Sequence, residues 1–291
     1  MKKLGLATAL LLAMTGAQAY QFEVQGQSEF IDNTANEQDF TGAVQGTYYF
    51  NNVDASKGPL AEAAFLNQAS NVSAAYTYGE DGQEFGDRTV HHTFGVKGEA
   101  YIPTNVVPAY ASASYSHTIA DNKAGKADDN GDRYALELGA LLIPNFLVAV
   151  GYTSVADQTS YDAFNMFNNG VAKAALESET IADKKDAITA RTKYVGAIDG
   201  TNMSIGFESG LVYGEDTAYN LGTTLFLNPQ LSVGASYMES SFAGSPDKAW
   251  GANVNYFITP AVAVGASYVN ANAEGQALDT QTIGVNAKFR F

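Results

Sequence analysis

Pro260-Ala261-Val262-Ala263-Val264-Gly265-Ala266-Ser267-Tyr268 reads as a proline turn feeding a strand that alternates apolar with small or polar residues. The pattern recurs at Pro144-Asn145-Phe146-Leu147-Val148-Ala149-Val150-Gly151-Tyr152 and at Pro229-Gln230-Leu231-Ser232-Val233-Gly234-Ala235-Ser236-Tyr237. Each copy places Val four and Tyr eight residues after the proline. Side chains alternate faces along a strand, so the Val and Tyr of each unit share one face. There the ring can sit at a lipid interface with its hydroxyl toward the headgroups. A soluble sandwich would pair an apolar inner face with a polar exposed one. In this chain the second face is Gly, Ser, Thr, Asn and charges, as a wet lumen demands.

Outward from these units the same two-residue period runs along most of the chain. Phe40, Val44, Tyr48 and Phe50 face one way and Thr41, Gln45 and Thr47 the other. Tyr134, Leu136, Leu138, Ala140 and Leu142 alternate with Arg133, Ala135, Glu137 and Gly139, and Tyr219, Leu221, Leu225 and Leu227 with Asn220, Gly222 and Thr224. The period predicts strands near 20–30, 40–50, 69–79, 88–102, 108–119, 132–142, 146–155, 187–198, 203–213, 218–227, 231–239, 249–258, 261–270 and 278–291. Fourteen is an even number, as a closed bacterial barrel with both ends on one side requires. An eleven-residue strand tilted by about 40° spans roughly 28 Å, close to the ~25 Å apolar band of such barrels. The fold class expected is all-β, a transmembrane antiparallel β-barrel of about fourteen strands.

Met1-Lys2-Lys3, the apolar run Leu4 to Met14 and Ala17-Gln18-Ala19 have the layout of a secretory signal, so residues 1–19 are expected to be cleaved and the barrel to occupy 20–291. That run is shorter than the ~20 residues of a spanning helix, and Leu138 to Tyr152, the nearest later candidate, is broken by Pro144-Asn145. With no cysteine, an exported chain of this length is not a disulfide scaffold. Seventeen tyrosines and 28 glycines suit strands, close packing and interfacial anchors. Ile283, Val285 and Ala287 run in phase into Phe289-Arg290-Phe291, resembling the terminal signal read by the barrel-assembly machinery of Gram-negative outer membranes. Phe291 is the expected contact for that partner.

Loss of Lys2 and Lys3 takes the formal charge from −15 to −17, which argues against nucleic acid as a partner. Strand parity directs Lys97, Arg133, Arg191, Lys193, Lys288 and Arg290, with Glu23, Glu99, Glu137 and Glu208, into the lumen. These ten are the expected pore-lining charges, a mixed and slightly basic set. Across a bore they would orient dipolar solutes and set ion selectivity; on neighbouring strands they would pair to avoid solitary burial. The loops and their rims carry most of the negative charge, with Glu29, Asp32, Glu37, Asp39, Glu80, Asp81, Glu84, Asp87, Asp121, Asp128, Asp129 and Asp132 among them. Such a mouth concentrates cations, keeps the surface solvated, or binds divalent ions that bridge lipopolysaccharide.

Two segments break the strand pattern. The long loop near 157–186 holds Tyr161, Phe164, Met166 and Phe167 before a helix-like stretch from Val171 to Ile181, and such a cluster is expected to fold into the bore or against the rim as a constriction. Asn52 to Gln68 is long for a periplasmic turn, and Pro59 followed by Leu60, Ala63, Ala64 and Phe65 predicts one or two helical turns there, a second candidate constriction. Nothing points to catalysis, a cofactor or a metal. His91 and His92 are adjacent on a strand and face opposite ways, and Asp128-Asp129-Asn130-Gly131-Asp132 lacks the distal Glu of a calcium loop and equally suits a hairpin turn.

A family resemblance rests on Tyr20 to Gln27, Gly58 to Leu66, Thr192-Lys193-Tyr194-Val195-Gly196, Trp250 to Phe257 and Gly284 to Phe291. By these residues the chain resembles the outer-membrane porins typified by the thirty-three-kilodalton outer-membrane protein of Acinetobacter. The resemblance implies a narrow or gated fourteen-stranded channel for water and small solutes. The residues themselves lead to a passive diffusion channel for small hydrophilic solutes in the cell outer membrane, in contact with its lipid and lipopolysaccharide, because a barrel of this size leaves a modest bore. Inward Gly206, Gly210, Gly234 and Gly265 keep that bore open. The alternative is a structural or adhesive barrel whose acidic surface loops bind a partner.

Overall fold

The computed structural model describes residues 19–33, 38–82, 88–122, 129–155, 161–164, 185–214, 216–241, 248–272 and 280–291. The signal-peptide reading falls almost wholly on residues that lie outside this set, as do Met166, Phe167 and the stretch from Val171 to Ile181. Fourteen strands follow one another: β1 (Ala19–Asn33), β2 (Gln38–Asp54), β3 (Asn71–Gly82), β4 (Arg88–Ile102), β5 (Ala109–Asn122), β6 (Asp129–Ile143), β7 (Phe146–Val155), β8 (Lys185–Ala197), β9 (Ser204–Tyr213), β10 (Thr217–Phe226), β11 (Leu231–Ser240), β12 (Lys248–Thr259), β13 (Val262–Asn272) and β14 (Thr280–Arg290). Each pairs antiparallel with its sequence neighbours, and β1 closes on β14 in a register running from Glu23↔Arg290 to Asn33↔Thr280. Closure removes the free edges that a sheet of this length would otherwise present.

The expected segments coincide with β4 and β7 residue for residue, while others run longer, β2 reaching seventeen residues. Ladder pairing continues beyond the lipid band wherever the neighbouring strand continues too, and polar residues tolerate it there. For this reason Asn130-Gly131 lies inside β6, paired with Ile119 and Thr118, and does not make a hairpin turn. Two of the three proline units work as tight connections: Pro144-Asn145 joins β6 to β7 and Pro260-Ala261 joins β12 to β13.

The outer surface is apolar and exposed, Leu138 at 67% and Val150 at 60%, which only a lipid environment makes stable. Aromatic rings pair along it toward both rims: Phe22 with Tyr48 at 4.9 Å and Tyr48 with Phe50 near the chain ends, Tyr115 with Tyr134 at 5.0 Å and Trp250 with Tyr268 at 5.4 Å near the loops. Not every tyrosine is such an anchor. Tyr20, Tyr49 and Tyr110 are buried inside the barrel.

They pack against the connection between β2 and β3. Gly58, at φ +148°, makes a turn that other residues rarely adopt, Pro59, extended at φ −58° and ψ 130°, caps the start, and a 3-10 turn (Leu60–Glu62) leads into a single α-turn (Ala63–Leu66). A Cβ on Gly58 would meet the Leu66 side chain at 2.9 Å. The connection turns into the barrel because Leu60, Ala63 and Phe65 find three apolar clusters there. Phe65 joins Tyr110, Leu141, Leu147, Val195 and Phe226; Ala63 joins Tyr20, Tyr49 and Val53; Leu60 joins Ala55, Phe257 and Ala263. These partners come from strands all around the wall, so the segment lies across the mouth at the chain-end side.

Candidate functional site

The barrel encloses a cavity of about 500 Å³, and Glu23, Lys97, Glu99, Arg133, Glu137, Arg191, Lys193, Glu208, Lys288 and Arg290 all line it. Glu62, from the inward connection, and Asp162, from the long loop, line it as well, so the slight basic excess read from the strands alone disappears.

The charges form short-range pairs along the wall. Lys97 meets Glu99 at 3.0 Å, Arg191 meets Glu137 at 2.6 Å, and Lys193 meets both Glu208 at 2.7 Å and Glu62 at 2.8 Å. Glu23 takes Lys288 at 3.1 Å and Arg290 at 2.7 Å. Charges held inside a barrel away from bulk water are tolerable only when paired and hydrogen-bonded, and most of these partners sit on the same or the adjoining strand. Neutral partners extend the network: Arg191 donates to the Tyr110 hydroxyl at 2.8 Å, Tyr110 donates to Glu99 at 2.7 Å, and Asn71 donates to Glu99 at 3.1 Å.

Arg290 is the clamp of the chain-end mouth. It is 2% exposed, its guanidinium donates to the Leu60 carbonyl at 2.8 Å, and it lies 4.5 Å from the Tyr20 ring and 4.7 Å from that of Phe257. Lys193 is the second tie, joined to Glu62 and 5.2 Å from the Phe65 ring. The Leu60 amide donates to the Pro229 carbonyl at 2.8 Å, so the segment is held by main chain too.

From the other side, Tyr161–Phe164 of the long loop lie against the inner wall of β3, β4 and β5. The Tyr161 amide donates to Thr118 Oγ1 at 2.9 Å, the Ala163 amide to Ser116 Oγ at 3.2 Å, and Thr77 Oγ1 to the Ala163 carbonyl at 3.3 Å. Ala163 and Phe164 are buried with Ala75. Gly95 makes the approach possible, since a Cβ there would meet Ala163 at 2.7 Å and Phe164 at 2.8 Å. His91 faces inward, its ring centroid 4.9 Å from that of Tyr161, whereas His92 faces outward and pairs with Tyr76 at 2.8 Å.

Glu62, Asp162 and Tyr101 were not legible as lining residues, nor Tyr110 as a buried inner-face residue. Parity alone puts Tyr110 inward, and the expectation that tyrosines are interfacial anchors hides it; Glu62 becomes visible only once the connection is known to fold inward. Glu29, grouped with the acidic rim in the sequence, is buried on the inner face, where Gln27 donates to it at 2.6 Å.

A closed fourteen-stranded barrel, apolar outside and polar within, is the architecture of a multi-pass outer-membrane channel of the porin class. The family model described as "Putative general bacterial porin" matches residues 1–291, and the chain belongs to that family. Among solved structures it is similar to the outer membrane protein Omp33 of Acinetobacter baumannii, with 56% identity, a TM-score of 0.70, and coverage of 94% of this chain and 99% of that one. The fold alone is shared with the monoaromatic hydrocarbon channel CymD, at 11% identity and TM-score 0.57 over 95% of this chain and 90% of that one. It is shared likewise with the Ralstonia pickettii toluene transporter TbuX, at 9% and 0.55 over 96% and 93%. A comparison with curated proteins finds no match. The family favours a channel for small solutes in outer-membrane lipid over an adhesive barrel.

Proposed function

We propose that the protein is a narrow passive channel for water and small hydrophilic solutes, with the ten charged wall residues as its pore lining and two inserts as its constriction. The observation that carries this reading is the connection between β2 and β3, which lies across the chain-end mouth, tied by Arg290 and Lys193 to opposite parts of the wall. Tyr161 and Phe164 narrow the bore from the loop side, with Met166 and Phe167 assigned to the same constriction by their place in the sequence. The wall is polar and most of its charges are paired, so water can fill what the inserts leave. The test is conductance in planar bilayers together with swelling of proteoliposomes in sugars of graded size. Small, resolvable conductance with a low size limit is expected; absence of both would remove the channel reading.

Two partners belong to the same proposal. Phe291 stacks on Phe22 with ring centroids 6.1 Å apart, an aromatic surface on the lipid side that suits recognition by the barrel-assembly machinery. Outward Glu80, Asp121 and Asp132 sit above the aromatic girdle, where divalent ions can link them to lipopolysaccharide phosphates.

A further inference from the structure

The two halves of the inner wall differ in kind. Strands β3–β8 carry the Lys97–Glu99 and Arg191–Glu137 pairs and, against β3–β5, the Tyr161–Phe164 insert. The β9–β14 half presents asparagines, and each has glycine as a cross-strand neighbour: Asn220↔Gly210, Asn253↔Gly234, and both Asn255 and Asn286 paired with Gly265. The glycines let the amides lie flat against the next strand. A Cβ on Gly234 would meet Asn253 Oδ1 at 2.8 Å and Nδ2 at 3.0 Å, and one on Gly265 would meet Asn286 Nδ2 at 2.7 Å. Asn220 lies three residues from the loop end of β10 and Asn286 four residues from the chain-end side of β14, so the amides run from one mouth toward the other.

Their hydrogen bonding sets them apart from the charges. Among the described residues, no protein hydrogen bond takes up the side chains of Asn220, Asn255 or Asn286, and none of their polar atoms is fully buried. Each amide therefore offers two donors and an acceptor on the inner face of the barrel, Asn220 directly to the enclosed cavity and Asn255 and Asn286 beside Gly265 toward the chain-end side. The ion pairs of the wall, Arg191 with Glu137 at 2.6 Å on the facing strands and Lys288 with Glu23 at 3.1 Å beside Asn286, offer a passing ion only what it can win from them.

We propose that this glycine-backed asparagine wall is a binding and selection track for uncharged solutes rich in hydroxyl or amide groups, along which they exchange water for side-chain amides. The inference rests on the channel reading above and names its solute class. A neutral polyol or urea replaces its water hydrogen bonds one for one on such a wall, at little cost. An ion finds no ring of like charge to replace its hydration, because the charges beside it are already neutralised in pairs.

The test compares glycerol and urea flux into proteoliposomes with potassium chloride conductance in planar bilayers, for the wild type and for Asn255→Leu/Asn286→Leu. Leucine keeps the volume and removes the hydrogen bonding. Glycerol and urea flux is expected to fall by about fivefold or more while salt conductance stays near wild type. Retained glycerol flux, or an equal fall in flux and conductance, overturns the track. Should the double variant fail to assemble, judged by loss of its heat-dependent gel shift, Asn220→Leu on a distant strand carries the same comparison. A wild type passing neither salt nor glycerol overturns the channel reading itself, a result the variants cannot mimic.

Discussion

Arg191 reaches the hydroxyl of Tyr110 at 2.8 Å although three strand-to-strand steps separate β8 from β5. The register explains how. Arg191 pairs with Ala149, Ala149 with Gly139 and Gly139 with Tyr110, so the two residues between them have almost no side chain and the guanidinium lies over a flat wall. Tyr110 in turn donates to Glu99, and one row of the barrel becomes a continuous hydrogen-bonded belt.

Gly139→Val is therefore expected to break the belt. A Cβ at 139 would meet the Ala149 Cβ at 2.7 Å and its Cα at 2.9 Å, and a branched side chain would also stand in the path of Arg191. The expected loss is about 1–3 kcal/mol, the range for stranding a buried polar partner. It is read as a lower temperature at which the fast-running unboiled gel band converts to the slow boiled form. An unchanged midpoint would mean that the belt contributes nothing to stability.

Arg290→Met should cost about 3 kcal/mol, since it leaves the buried Glu23 with Lys288 alone and frees the Leu60 carbonyl. Arg290→Lys should fall between, because an ammonium cannot reproduce the fork that reaches both Glu23 and Leu60. Thermal conversion of the gel band measures the stability. Open-channel noise in bilayers should rise in the same order as the clamp weakens, and equal noise in all three proteins would detach Arg290 from the mouth.

Gly95→Leu tests the loop-side insert without touching the loop. A leucine there occupies the space of Ala163 and Phe164 and should expel Tyr161–Phe164 from the wall. The barrel should remain closed, as its ladders are unaffected, and the size limit for neutral sugars should increase. A folded variant with an unchanged limit would take the loop out of the constriction.

The acidic loops should give a weak preference for cations at low salt that fades as the salt rises, because fields at a wet mouth are screened over about 8 Å at physiological ionic strength. Reversal potentials across a salt gradient measure it. A steady anion preference would assign ion selection to Arg191, Lys193 and their neighbours on the wall.

The strands were legible because a membrane barrel imposes one strict rule, apolar out and polar in, so parity placed Glu23, Lys97, Arg191 and the other wall charges on the face where they stand. What parity lacks is register. Which residue lies opposite Arg191 or Asn286 depends on how neighbouring strands are staggered, and the belt through Ala149 and Gly139, like the glycine beside each asparagine, appears only when the pairing is known. The helical turn after Pro59 was readable from spacing, but not its direction. Leu60 and Phe65 turn inward because their clusters are assembled from strands distant in sequence, Phe257 and Ala263 for one and Leu141 and Phe226 for the other.

The most direct test of a bore set by that inward connection is single-channel conductance after residues 56–67 are replaced by a short Gly-Ser turn, compared with the wild type in the same bilayer. The segment fills the mouth with Leu60, Glu62, Ala63 and Phe65 and holds two of the ties to the wall, while the strands on either side pair without it. A folded, heat-modifiable variant with conductance several times that of the wild type is the predicted result. A folded variant whose conductance is unchanged would contradict the account and leave the constriction elsewhere in the barrel.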